Sequence, residues 1–161
     1  MKLAEFKTHK TISNWLEQIS QAIGIKLNLR EDGHIELACS DKATITIEVS
    51  EEHGLVYFYS NLITLPHNSD NREPFYRRAL ELNAFNFATG GASISLDPRH
   101  DNITLTFVEK VTGMNADIFA NLLNHFITLT IELIDNKALE PDSNISDKKH
   151  VNAFNRHHKI I

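Results

Sequence analysis

The sequence predicts an α+β domain, a twisted antiparallel sheet with helices packed on one face in the order α-β-β-β-α-β-β-α. Three observations predict it. Apolar residues recur at helical spacing near residues 11–23 and again over 115–135. Between them lie several runs in which apolar and polar residues alternate, the period of half-buried strands. A central stretch, Leu80 to Pro98, reads as a helix end, a Gly-Gly corner and a short strand. Runs of strands flanked by helices, without strict βαβ alternation, point to α+β.

Ile12, Trp15, Leu16, Ile19 and Ile23 give the first helix its stripe; Thr11 is its expected N-cap and Gly24 its C′ residue. Ile25, Leu27 and Leu29 then alternate with polar residues, so 25–30 is a candidate extra strand. Glu31-Asp32-Gly33 predicts a turn, with Gly33 at its positive-φ position. Strands are expected over 33–39, 43–49 and 55–59, with Glu51-Glu52 as a charged hairpin tip. The third is apolar on both faces, as a central strand would be, or one whose second face has a partner. Asp70 with Glu73 forms a capping-box pattern before a helix over 73–87, and Pro74 fits its first turn.

That helix carries two apolar stripes, one through Phe75, Ala79 and Leu82, the other through Tyr76, Leu80, Ala84 and Phe87. Two stripes call for two packing partners, the chain's own core and a second subunit. Gly90-Gly91 reverses the chain into a strand over 92–96, which is expected to pair with 103–108. After Gly113, Asn115 caps a final helix to residue 135, with Asp117 in its favourable first turn. Residues 1–136 read as one domain and 137–161 as a polar tail.

Leu82-Asn83, Ala88-Thr89-Gly90-Gly91-Ala92 and Ser95-Leu96-Asp97-Pro98 resemble the centre of the class I type III secretion chaperones, the Tir-chaperone family. The resemblance spans roughly Ile12 to Ile134; Ser95 stands where the family tends to carry Gly. It implies a bacterial cytoplasmic homodimer that binds the N-terminal chaperone-binding segment of a secreted effector and keeps it soluble and ready for delivery. The secretion ATPase is a further implied partner, and no cofactor is implied. Family clients lie in an apolar groove between the first helix and the early strands. On that basis Trp15, Ile19, Ile35, Leu37, Ile45 and Ile47 are the expected groove residues, with Trp15 as anchor. Phe75, Leu82, Phe85, Phe87, Ile94 and Leu96 are the expected dimer contacts. A regulatory chaperone of the same fold, holding a secretion-linked transcription regulator, would share every one of these features.

The residues narrow the function from the other side. Formal net charge is −5 with no Lys/Arg block, which argues against nucleic acid as a partner. MKLAEFKTHK lacks the apolar centre of a signal peptide, and no apolar run approaches the ~18 residues of a membrane span. A soluble protein without membrane insertion is expected. Cys39 is alone and cannot form an internal disulfide. The nine histidines are scattered, with no His-Glu-x-x-His and no expected metal site. Gly90-Gly91 follows a helix and precedes a strand, the reverse of a phosphate loop. No catalytic constellation is visible, and an enzyme is not expected. The alternative, a site assembled from scattered residues, would show as a pocket of convergent ionisable groups.

Overall fold

In the computed structural model, which describes residues 7–141, the chain runs α1 (Lys7–Ile23), β1 (His34–Ala38), β2 (Thr44–Ser50), β3 (Leu55–Thr64), α2 (Glu73–Asn83), β4 (Ser93–Asp97), β5 (Asn102–Lys110) and α3 (Ala116–Asp135). The five strands form one antiparallel sheet in the order β1-β2-β3-β5-β4. β3 is central, as its two apolar faces require. Ile47 opposes Phe58, and Phe58 opposes Phe107, so the alternating apolar residues of neighbouring strands share one face. α1 and α3 cover that face: Ile12, Leu16, Phe119, Leu123 and Phe126 join Ile45, Ile47, Val56, Phe58 and Leu105 in a continuous core. Phe58 meets Phe119 edge-on at 5.7 Å and Phe126 at 5.8 Å.

α1 begins a turn earlier than Thr11. Thr11 lies inside the helix, its hydroxyl donating to the Lys7 carbonyl at 2.7 Å. The cap comes from the β2–β3 turn: Glu51 accepts the Thr8 and His9 backbone N–H groups at 2.9 and 2.7 Å. A carboxylate there satisfies two orphan donors and meets the positive end of the helix dipole. Residues 25–30 join no strand of the sheet, so the extra strand does not form. They are tied by Ser20 Oγ accepting from the Leu27 N–H at 2.7 Å and by the Arg30 N–H donating to the His34 carbonyl at 2.9 Å.

The Asp70–Glu73 capping box does not form either. Asn68 caps a short 3-10 turn over Ser69–Asn71, and Arg72 at the head of α2 makes no side-chain cap. Arg72 instead grips Asp101 with both guanidinium arms at 2.8 and 2.9 Å. α2 ends at Asn83, four residues before the expected limit, and Phe85 and Asn86 take left-handed conformations (φ 60° and 55°). Asn115 caps α3 as expected, accepting from Ile118 N–H at 2.9 Å. By length and composition α3 could cross a membrane, a property the run-length criterion passed over. Its buried residues, Phe119, Leu123, Phe126, Leu129, Thr130 and Leu133, form the sheet-facing stripe of a core helix. Packing continues past residue 136: Leu139 is buried, and Arg78 Nε donates to the Ala138 carbonyl at 2.8 Å. The rest of the expected tail, residues 142–161, lies outside the described residues.

Candidate functional site: an apolar cavity beside an open sheet edge

β1 is an edge strand, and its register decides what that edge offers. Val49 N–H donates to the Gly33 carbonyl and Cys39 N–H to the Ala43 carbonyl, so odd-numbered residues of β1 bond to β2. In an antiparallel pair the even-numbered residues then turn their N–H and C=O groups outward. At His34 both groups are occupied, by Asp32 and by Arg30. Those of Glu36 and Ala38 face away from β2.

Against this edge lies a cavity of about 1140 Å³. Ile19 and Ile23 of α1, Ile25 and Leu27 of the segment that follows it, Leu37 of β1 and Ile127 of α3 supply its apolar walls. Ile23 and Ile25 are exposed at its mouth. Lys26 and Arg30 set positive charge on one side and Glu36 negative charge on another. The Cys39 thiol also lines it, its pKa pushed up by burial. Among the described residues no group of three or more His, Cys, Asp or Glu side chains could hold a metal. The walls bury apolar side chains, and the outward backbone groups can bond an extended strand.

Of the expected groove residues, the cavity brings together Ile19, Ile35 and Leu37. Ile45 and Ile47 are fully buried beneath the helices, which corrects their placement in a groove surface. Trp15 also stands elsewhere, half-buried with its ring 5.6 Å from Phe119. That contact explains why its position at the stripe's edge did not leave it open. Sequence reasoning missed the wall from α3, although Ala120, Asn124 and Ile127 follow helical i, i+4, i+7 spacing on the flank of the core stripe. It also read Ile25 and Leu27 as strand residues, whereas their alternation serves the cavity's outer wall.

The expected dimer residues divide as well. Leu82 and Ile94 are core, and Phe75 is half-buried. Leu96 is exposed, and Phe85 and Phe87 are 74% and 83% exposed with their rings 6.0 Å apart. Leu80 on α2 is 72% exposed, and α2 packs on β4, at the edge of the sheet opposite β1.

A model of the Tir chaperone protein (CesT) family matches residues 14–133, the span that contains both surfaces. The chain belongs to this family. No curated protein matches it in sequence. Among solved structures, the Tir-chaperone chain is similar to one in the ExsC–ExsE complex, at 14% identity and a TM-score of 0.66. The match covers 89% of this chain and 99% of that one. It is similar to one in the Yersinia pestis complex of the type III secretion chaperone SycH with a fragment of YscM2, at 18% identity and a TM-score of 0.54, covering 76% and 99%. The ExoU–SpcU complex of the Pseudomonas aeruginosa type III secretion system gives 17% identity and a TM-score of 0.57, covering 80% and 98%. At these identities the likeness is one of fold.

Proposed function

We propose that this Tir-chaperone protein is a bacterial cytoplasmic chaperone that holds the N-terminal chaperone-binding segment of a type III secretion effector. The observation that carries the reading is the apolar cavity beside the outward backbone groups of Glu36 and Ala38. An extended segment laid along β1 bonds through its backbone, while alternate side chains enter the cavity between α1 and α3. Such a client is held without folding, which is what a secretion-competent state requires. The cavity asks only for apolar side chains at intervals, so recognition needs no nucleotide and no covalent step.

The protein acts as a two-fold homodimer through Leu80, Phe85, Phe87 and Leu96, around the half-buried Phe75. An isologous interface uses each of these side chains twice. Burying each contributes about 1.5–3 kcal/mol, enough for a stable dimer. The two client sites then face away from the interface, because the cavity and the dimer surface lie at opposite edges of the sheet. The secretion ATPase would receive the loaded complex.

Titration with the N-terminal segments of effectors encoded beside the gene tests the client site. One segment should bind, and Ile23→Asp or Ile25→Asp should weaken it at least about tenfold, as lost burial of one large side chain implies. Both residues are exposed, so melting should hold. A folded protein that binds none of the segments, or binds one equally well after both substitutions, would overturn the reading.

A further inference from the structure

We infer that the chain's own residues 151–161 occupy the β1 cavity when no client is bound, as a displaceable placeholder. The inference rests on reading the cavity as the client site. An apolar mouth that exposes Ile23 and Ile25 would be a liability for a chaperone waiting empty. Residues 142–161 form a polar stretch with few large apolar side chains: Ile145, Val151, Phe154, Ile160 and Ile161.

The reach of the chain brings this segment to the cavity. α3 finishes beside the β1–β2 turn, where Lys42 Nζ lies 3.3 Å from Asp135 Oδ1. Residues 136–141 then pass toward α2, where Arg78 Nε donates to the Ala138 carbonyl at 2.8 Å, so the tether has to recross the sheet. Cys39, three residues before Lys42, already lines the cavity. Nine residues, 142–150, separate Pro141 from Val151. Extended, they span up to about 30 Å. The whole five-stranded sheet is only ~19 Å across.

Charge favours a loose hold. Residues 142–161 carry four basic and two acidic side chains, so the rest of a chain of net −5 carries −7. That field draws the tail to the body. At the cavity itself, Glu36 can pair with one of Lys148, Lys149 and Arg156, while Lys26 and Arg30 repel them. A client whose apolar residues are flanked by Asp or Glu gains contacts that the tail lacks, and displaces it. Tethering compensates in the empty protein, because a connection of only nine residues holds the segment at an effective concentration of about 1 mM.

The test needs no client, so its failure is distinct from failure of the chaperone reading. Amide hydrogen exchange is compared between the full-length protein and its Val151→Asp/Phe154→Asp variant. The amides of 25–28 and 35–39 should exchange about tenfold faster in the variant, the protection expected when ~1 mM tethered segment meets a site of ~0.1 mM affinity. A synthetic peptide of residues 142–161 should restore the protection. Equal exchange in both proteins overturns the inference, as does a change confined to the α2 surface around Tyr76 and Leu80.

Discussion

The Asn83 side chain caps the outer edge of β4 at Ile94. Its Nδ2 donates to the Ile94 carbonyl at 2.7 Å, and its Oδ1 accepts the Ile94 N–H at 2.8 Å. A side-chain amide thus stands in for a neighbouring strand. The pair lies at the end of α2 and blocks β4 at Ile94, while on β1 the backbone groups of Glu36 and Ala38 face outward, where a further strand can add. Asn83→Ala strands two backbone groups that are shielded from water, and should cost about 1–3 kcal/mol by urea denaturation. Asn83→Asp keeps the acceptor and loses the donor, so it should fall between. Equal stability of all three proteins would show that the pair contributes nothing.

Glu51 caps a helix more than forty residues away in sequence. Glu51→Ala removes the acceptor for two N–H groups and should destabilise the fold by about 0.5–2 kcal/mol, the range of a lost N-cap. Glu51→Gln keeps an acceptor and should recover part of the loss. Hydrogen exchange should rise first at the start of α1, and a uniform rise across the sheet would argue against a local cap.

Trp15 packs on Phe119 and does not line the cavity, so Trp15→Ala should act on stability. Truncating a large aromatic in partial contact with the core should cost about 3 kcal/mol. Client affinity, measured well below the melting temperature, should change less than with Ile25→Asp. A stable Trp15→Ala protein that no longer binds client would restore Trp15 as the anchor.

Phe85 holds a left-handed backbone while exposing its ring beside Phe87. A bulky residue there is strained by about 1–2 kcal/mol. Phe85→Gly relieves that strain and removes an apolar side chain from both copies of the proposed interface. The protomer's own stability should move by no more than about 1 kcal/mol. The dimer should weaken more than tenfold by sedimentation, as two lost aromatics imply. Unchanged association would place the interface elsewhere.

Arg72 holds the Asp101 carboxyl below its ordinary range, chiefly through their hydrogen bonds, with partial burial opposing and the guanidinium charge assisting. A depressed carboxylate stabilises the fold fully above its unfolded pKa of about 3.9 and loses that contribution as pH falls through the folded value. The melting temperature should therefore fall on acidification below about pH 4, and Asp101→Asn should flatten that part of the profile. An identical acid limb in both proteins would remove the pair as a cause.

The sequence by itself determined the order of elements, which face of each strand is apolar and where α3 begins, because these are written in local period and local caps. Asn115 needs only Ile118, three residues on, to cap its helix. It also carried the family, since the central Gly-Gly segment survives as pattern. Tertiary structure decided what depends on partners distant in the chain. Glu51 sets the start of α1, and Ile94 pairs with Asn83 at the end of α2. Periodicity says which way a side chain points, not how close the next element comes. Ile45 and Leu37 oppose each other on one face of the sheet, yet Ile45 is sealed beneath the helices. Leu37 stays open because β1 is the last strand and no element packs beyond it.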